Sequence, residues 1–221
     1  MKVILFGASG MVGQGVLREC LRDPDITSVL SVGRTALGRT EEKFREIVHK
    51  DLFHLAPIET SLLGYDACFF CLGATSVGMT EADYTRVTYD LTLAVAQTLA
   101  KLNPKMTFIY VSGLGTDSTE RGRNMWARVK GKTENALLRL PSKAAFMFRP
   151  ALIQPLYGIK PKAAFYRIFY TLTAPLIPLL TACLPTYATT TERVGRAMLH
   201  VAKHGFPKPV LESQDINDAG K

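Results

Sequence analysis

A chain of 221 residues with 47% apolar and 21% charged residues has the make-up of one soluble globular domain with a substantial core. The net charge of +8 is spread over scattered Lys and Arg without aromatic interleaving, which argues against nucleic acid as the main partner and suits an anionic small ligand. Four cysteines in a chain this size do not form a disulfide scaffold, and the short apolar run at the N-terminus stops at Gly7, so no signal peptide is predicted and a cytoplasmic setting is expected.

Val3 to Phe6 reads as a buried strand, and GMVGQGVLRECLRD shows helical spacing, with Val12, Val16, Leu17, Cys20 and Leu21 on one face. SVLSVGR is a second strand, EEKFREIVHKD a third ending near Asp51, and DACFFCLG a fourth, continuously apolar as strands buried on both faces are. Cys68 and Cys71 in that run make a C-x-x-C, but strand geometry points residues three apart to opposite faces, so buried core thiols are expected in place of a metal site. A long helix is predicted from Glu81 to Leu102 with Thr80 as its N-cap. TFIYVSG is the fifth strand, Asn124 to Arg139 a helix, and AAFMFRP the sixth strand. This alternation predicts an α/β fold, a doubly wound parallel Rossmann sheet of order 3-2-1-4-5-6. Residues 1–150 form the dinucleotide-binding core, and 151–221 complete the same domain as a small C-terminal lid region over the substrate pocket. There TERVGRAMLHVAKHG is helical, PVLES is a last strand, and a polar tail follows.

From Ile168 to Thr191 the chain carries no charge. Pro175, Pro178 and Pro185 argue against a single spanning helix. Two readings stay open: a lid over the pocket, or an apolar patch for homodimer or peripheral membrane contact through 163–191, helped by Lys160, Lys162 and Arg167. His200 and His204 stand four apart on a helix with no third ligand nearby, and surface positions are expected for them.

Gly7, Gly10 and Gly13 form G-x-x-G-x-x-G between the first strand and the first helix. Glycine allows the tight turn and lets a pyrophosphate approach the backbone, while the helix N-terminus offers it free N–H groups. At the end of the second strand, where a carboxylate would hold both ribose hydroxyls of NAD, stands Arg34, which suits a 2′-phosphate. NADP(H) is therefore the expected cofactor, with Thr35 and Arg39 as helpers.

GASGMVG, YVSG, V-K-G-x-x-E and FRPALI together resemble the short-chain dehydrogenase/reductase superfamily, in its atypical branch related to NAD-dependent epimerases and dehydratases. The resemblance implies that Gly7, Ser9, Gly10, Met11 and Gly13 hold the phosphates and that Arg34 meets the 2′-phosphate. It places Asp51 and Leu52 beside the adenine, and Leu72, Gly73 and Ala74 along the cofactor. Ser112 matches the catalytic serine and Lys130 the lysine of Y-x-x-x-K. Arg149, Pro150, Ala151, Leu152 and Ile153 match the segment past the nicotinamide. The departure is Trp126, at the position of the proton-donating tyrosine; indole gives no proton near neutral pH. Tyr84, Tyr89, Tyr157 and Tyr187 are candidate replacements, whereas Tyr110 on the fifth strand reads as core. Two functions stay open: an oxidoreductase or epimerase acting on a small carbonyl or hydroxyl substrate that the sequence does not identify, or a non-catalytic NADP(H)-binding module that contacts a protein or membrane.

Overall fold

The computed structural model describes residues 1–141, 143–159 and 186–221. Strand β1 (Lys2–Phe6) lies at the centre of a seven-stranded sheet with β2 (Ser28–Gly33), β3 (Phe44–Val48), β4 (Ala67–Phe70), β5 (Thr107–Val111), β6 (Ala144–Arg149) and β9 (Val210–Glu212). Their spatial order is 3-2-1-4-5-6-9, and every neighbouring pair is parallel. The doubly wound Rossmann order expected from the sequence is thus present, extended by one strand beyond β6.

Helices cover both faces. On one lie α1 (Met11–Arg22), α5 (Thr191–His204) and α6 (Ser213–Ala219), closing a core around Val3, Leu5, Val16, Phe69, Phe148, Val194 and Ile216. On the other, α2 (Glu81–Thr85), α3 (Leu91–Leu102) and α4 (Met125–Leu138) cover Ile4, Phe6, Phe70, Phe108 and Tyr110. Cys68 packs into this second core and Cys71 against the first, the alternation expected of strand neighbours. Burial raises both thiols above their usual range, Cys71 to about 12.

Four readings need correction. The predicted single helix 81–102 is interrupted by a π-helical turn over Arg86–Asp90, although Thr80 does cap it, accepting from Asp83 N. The third strand stops at Val48 and leaves Asp51 in a loop. A 3-10 helix at Ala56–Leu62 and a second, two-stranded parallel sheet of β7 (Leu152–Gln154) and β8 (Ala188–Thr190) were not anticipated. The polar tail is helix α6, whose start is closed by Glu212 and Asp215 in a reciprocal capping box and whose Ile216 is buried.

The described part of the C-terminal region therefore completes the main sheet and its helical layer. Residues 160–185, which carry most of the uncharged stretch and of the predicted lid or contact surface, lie outside the described residues. Among the described residues no helix is long and apolar enough to cross a membrane.

Candidate functional site

At the carboxyl end of β1 the chain reverses at Gly7, whose φ of +81° belongs to the left-handed region open to glycine. A Cβ there would meet the Cys71 carbonyl carbon at 2.6 Å, and one at Gly13 would meet the Gly7 oxygen at 2.1 Å. The turn thus needs glycine for its own packing. Gly10 N donates to Gly7 O at 2.9 Å and becomes the N-cap of α1 without a side-chain cap, and no acidic residue stands in the first helical turn. The first N–H groups of α1, beginning at Met11, are left to receive an anion.

Two clefts flank this turn. One, of about 340 Å³, brings together Arg34, Lys50, Asp51, Leu52, Leu72, Gly73 and Ala74 beside Val87 and Leu91. Six of these were singled out from the sequence; Lys50 was not. The other, of about 640 Å³, is lined by Ser9, Gln14, Arg18, Thr35, Arg39 and Tyr157, among others. Its outer wall is pinned by Tyr157, whose hydroxyl donates to Glu192 at 2.8 Å and whose ring lies 3.5 Å from the Arg18 guanidinium carbon.

Ser112, Lys130 and Arg149 form a separate group at the ends of β5 and β6. Lys130 Nζ donates to the Ser112 carbonyl oxygen. Burial lowers its amine to about 8, an effect partly opposed by the Glu134 carboxylate one helical turn on. The Ser112 hydroxyl is directed at Glu134 and at the Phe148 carbonyl, so its single proton is already engaged. Glu134, 1% exposed, is gripped by Arg149, which also reaches Glu212 at 3.3 Å. Leu114 N donates to the Pro150 carbonyl at 3.0 Å, tying the loop after β5 to the end of β6. Sequence reading did not single out Glu134 for a role; the pointer lay in the V-K-G-x-x-E spacing, which puts it on the Lys130 face of the helix. Gly131 in the same motif lets α4 lie on the preceding loop, since a Cβ there would stand 1.8 Å from Asp117 O.

Trp126 is half-buried in the first turn of α4, and its indole packs over Gly115, where a Cβ would stand 3.4 Å from Cη2. Of the candidate tyrosines, Tyr84 is buried in the core layer beneath α4, and Tyr89 has the Lys132 ammonium 4.4 Å from its ring centroid. Tyr157 is bonded to Glu192, whereas Tyr187 is 56% exposed. Tyr110 is core, as expected, and burial raises its hydroxyl. His200 and His204 are exposed, with ring centroids 4.8 Å apart; among the described residues no group of three or more His, Cys, Asp or Glu side chains could hold a metal.

No family model matches the chain. It is 29% identical to the protein HTATIP2 of Rattus norvegicus over 68% of its own length and 62% of that protein's, so it spans under two thirds of that relative. Against the mitochondrial protein FMP52 of Saccharomyces cerevisiae it is 26% identical over 99% of its length and 96% of the relative's. Among solved structures, the Bordetella bronchiseptica enzyme WbmF, in complex with NAD+, superposes with a TM-score of 0.67 at 14% identity, over 98% of this chain and 76% of that one. UDP-glucose 4-epimerase of Thermotoga maritima, with UDP-glucose, gives 0.63 at 17%, over 91% and 73%. The chain thus has a Rossmann fold and is similar in sequence to HTATIP2 and FMP52. The FMP52 relatives are named mitochondrial, which overturns the expected cytoplasmic setting.

Proposed function

We propose that the chain binds NADP(H) and acts as a short-chain dehydrogenase/reductase-like oxidoreductase or epimerase on a small carbonyl or hydroxyl substrate. The observation that carries this reading is the cleft beside the glycine turn, which Arg34 lines together with Leu52, Leu72, Val87 and Leu91 and where it forms no ion pair with a described carboxylate. The residues present fit the cofactor: a glycine turn that excludes side chains, an uncapped helix N-terminus for the pyrophosphate, and Arg34 for a 2′-phosphate, whereas the expected helpers Thr35 and Arg39 line the other cleft and Arg39 is paired with Glu41. When bound, that cofactor supplies or accepts a hydride.

Ser112 cannot easily donate to a substrate while its proton is engaged by Glu134, and Trp126 has none to give. Lys130 therefore takes the proton-donating role: its amine, near 8, is charged at neutral pH and close enough to working pH to release and regain a proton. The commitment of Ser112 and the presence of Trp126 favour a second reading, in which NADP(H) occupancy governs contact with a protein or membrane partner and no substrate is turned over.

Calorimetric titration is expected to give NADPH binding at least about tenfold tighter than NADH; equal affinities would sink the NADP(H) assignment. Wild type, Lys130→Ala and Trp126→Tyr are then assayed with NADPH against a panel of small carbonyls. Turnover lost in Lys130→Ala is the expected outcome, whereas turnover seen only in Trp126→Tyr establishes the binding module.

A further inference from the structure

Beyond the ends of β2 and β3 the parallel pairing continues one step. His49 N donates to Gly33 O at 2.8 Å, which sets Arg34 and Lys50 close together at the carboxyl edge of the sheet. Both side chains are exposed and line the same cleft. Among the described residues neither has an ion-pair or hydrogen-bond partner, whereas Arg39, Arg128, Arg149, Arg196, Lys203 and Lys208 each hold a carboxylate. The nearest acid along the chain, Asp51, accepts from Phe53 N at 3.0 Å and pairs with neither cation.

Two neighbouring positive charges without a counterion repel, and here they flank an apolar floor of Leu52, Leu72, Val87 and Leu91. A planar base suits that floor. A phosphate monoester, carrying close to two negative charges at neutral pH, matches the pair above it. We propose that Lys50 is the second half of a phosphate clamp: Arg34 meets two phosphate oxygens with its planar fork, and Lys50 meets the remaining charge as a compact ammonium. The clamp makes Lys50 a specificity-determining residue for adenine nucleotides phosphorylated on the ribose 2′ position. This rests on the NADP(H) reading and adds to it a residue that no motif marks.

The test uses 2′,5′-ADP and 5′-AMP, which share the adenosine and differ in the 2′-phosphate, titrated calorimetrically into wild type, Arg34→Gln, Lys50→Gln and the double variant. Wild type is expected to prefer 2′,5′-ADP. Lys50→Gln is expected to weaken 2′,5′-ADP about tenfold, the scale of one charge-assisted hydrogen bond, with 5′-AMP within about twofold of wild type. Inorganic phosphate is expected to compete only weakly; competition as strong as that of 2′,5′-ADP would mean a plain anion site and overturn the proposal. Wild type without a preference overturns both the clamp and the NADP(H) reading. A preference undiminished in Lys50→Gln but lost in Arg34→Gln overturns the clamp alone. Equal weakening of both nucleotides in Lys50→Gln also overturns it, since Lys50 would then act on the shared adenosine.

Discussion

Lys130 holds a charge where water has little access, and this has a cost that can be read from pH. Its amine is lowered by burial to about 8, whereas in the unfolded chain it returns to about 10.4. Between those values the unfolded state binds more protons than the folded one, so this residue makes stability rise with pH across the window. The penalty is full below about pH 8 and absent above about pH 10.4. Urea unfolding of wild type and Lys130→Met at several pH values is expected to show this as a difference between the two proteins that narrows as pH rises. A constant difference across that range would refute the depressed amine. In the function proposed above the same burial serves proton transfer, because a lysine left in water would hold its proton too tightly to release it near neutrality.

At the scale of elements, the crossing of α1 and α5 decides how firmly the glycine turn is held. Gly15 and Gly195 let the two helices touch: a Cβ on Gly15 would lie 2.6 Å from Thr191 O, and one on Gly195 would lie 2.8 Å from Glu19 Cγ. In an exposed helix, glycine to alanine stabilises by about 1 kcal/mol. Here the obstacle at Gly15 is backbone, and Gly15→Ala is expected to reverse the sign, costing about 1–3 kcal/mol as the helices separate. Thermal melting checks this, and a higher Tm in the variant would disprove the close crossing. The strands, the glycine turn and α1 were legible in the sequence because each follows from local pattern: a short apolar run, a glycine spacing, a helical period. Helix α6 was not. Its polar sequence lacks a strong helical stripe, and it is specified by the Glu212–Asp215 capping box and by burial of Ile216 against distant partners. The β7–β8 pair escaped for a similar reason, since Leu152 and Ala188 meet only after the fold has formed.

Over the whole molecule, the cleft lined by Arg34 and Lys50 and the Ser112–Arg149 pair take their places from the carboxyl ends of parallel strands, where ligands collect in folds of this type, and α4 brings Lys130 to the second of them. Sequence motifs anticipated most members of each group, yet not Lys50 in the cleft, nor that Glu134, from the middle of α4, would join β5 and β6 through Ser112 and Arg149. That partnership depends on a sheet register no local pattern encodes. Trp126 has one more consequence. It is the only tryptophan in the chain, and it stands in the first turn of the helix that carries Lys130. Indole emission overlaps dihydronicotinamide absorption, so the protein holds its own optical donor beside the expected position of the acceptor. Adding NADPH to the unlabelled chain is expected to dim the ultraviolet emission and brighten the blue, with a much smaller change on adding NADP+. Dimming without a blue gain would indicate a nicotinamide bound too far from, or badly oriented to, the indole.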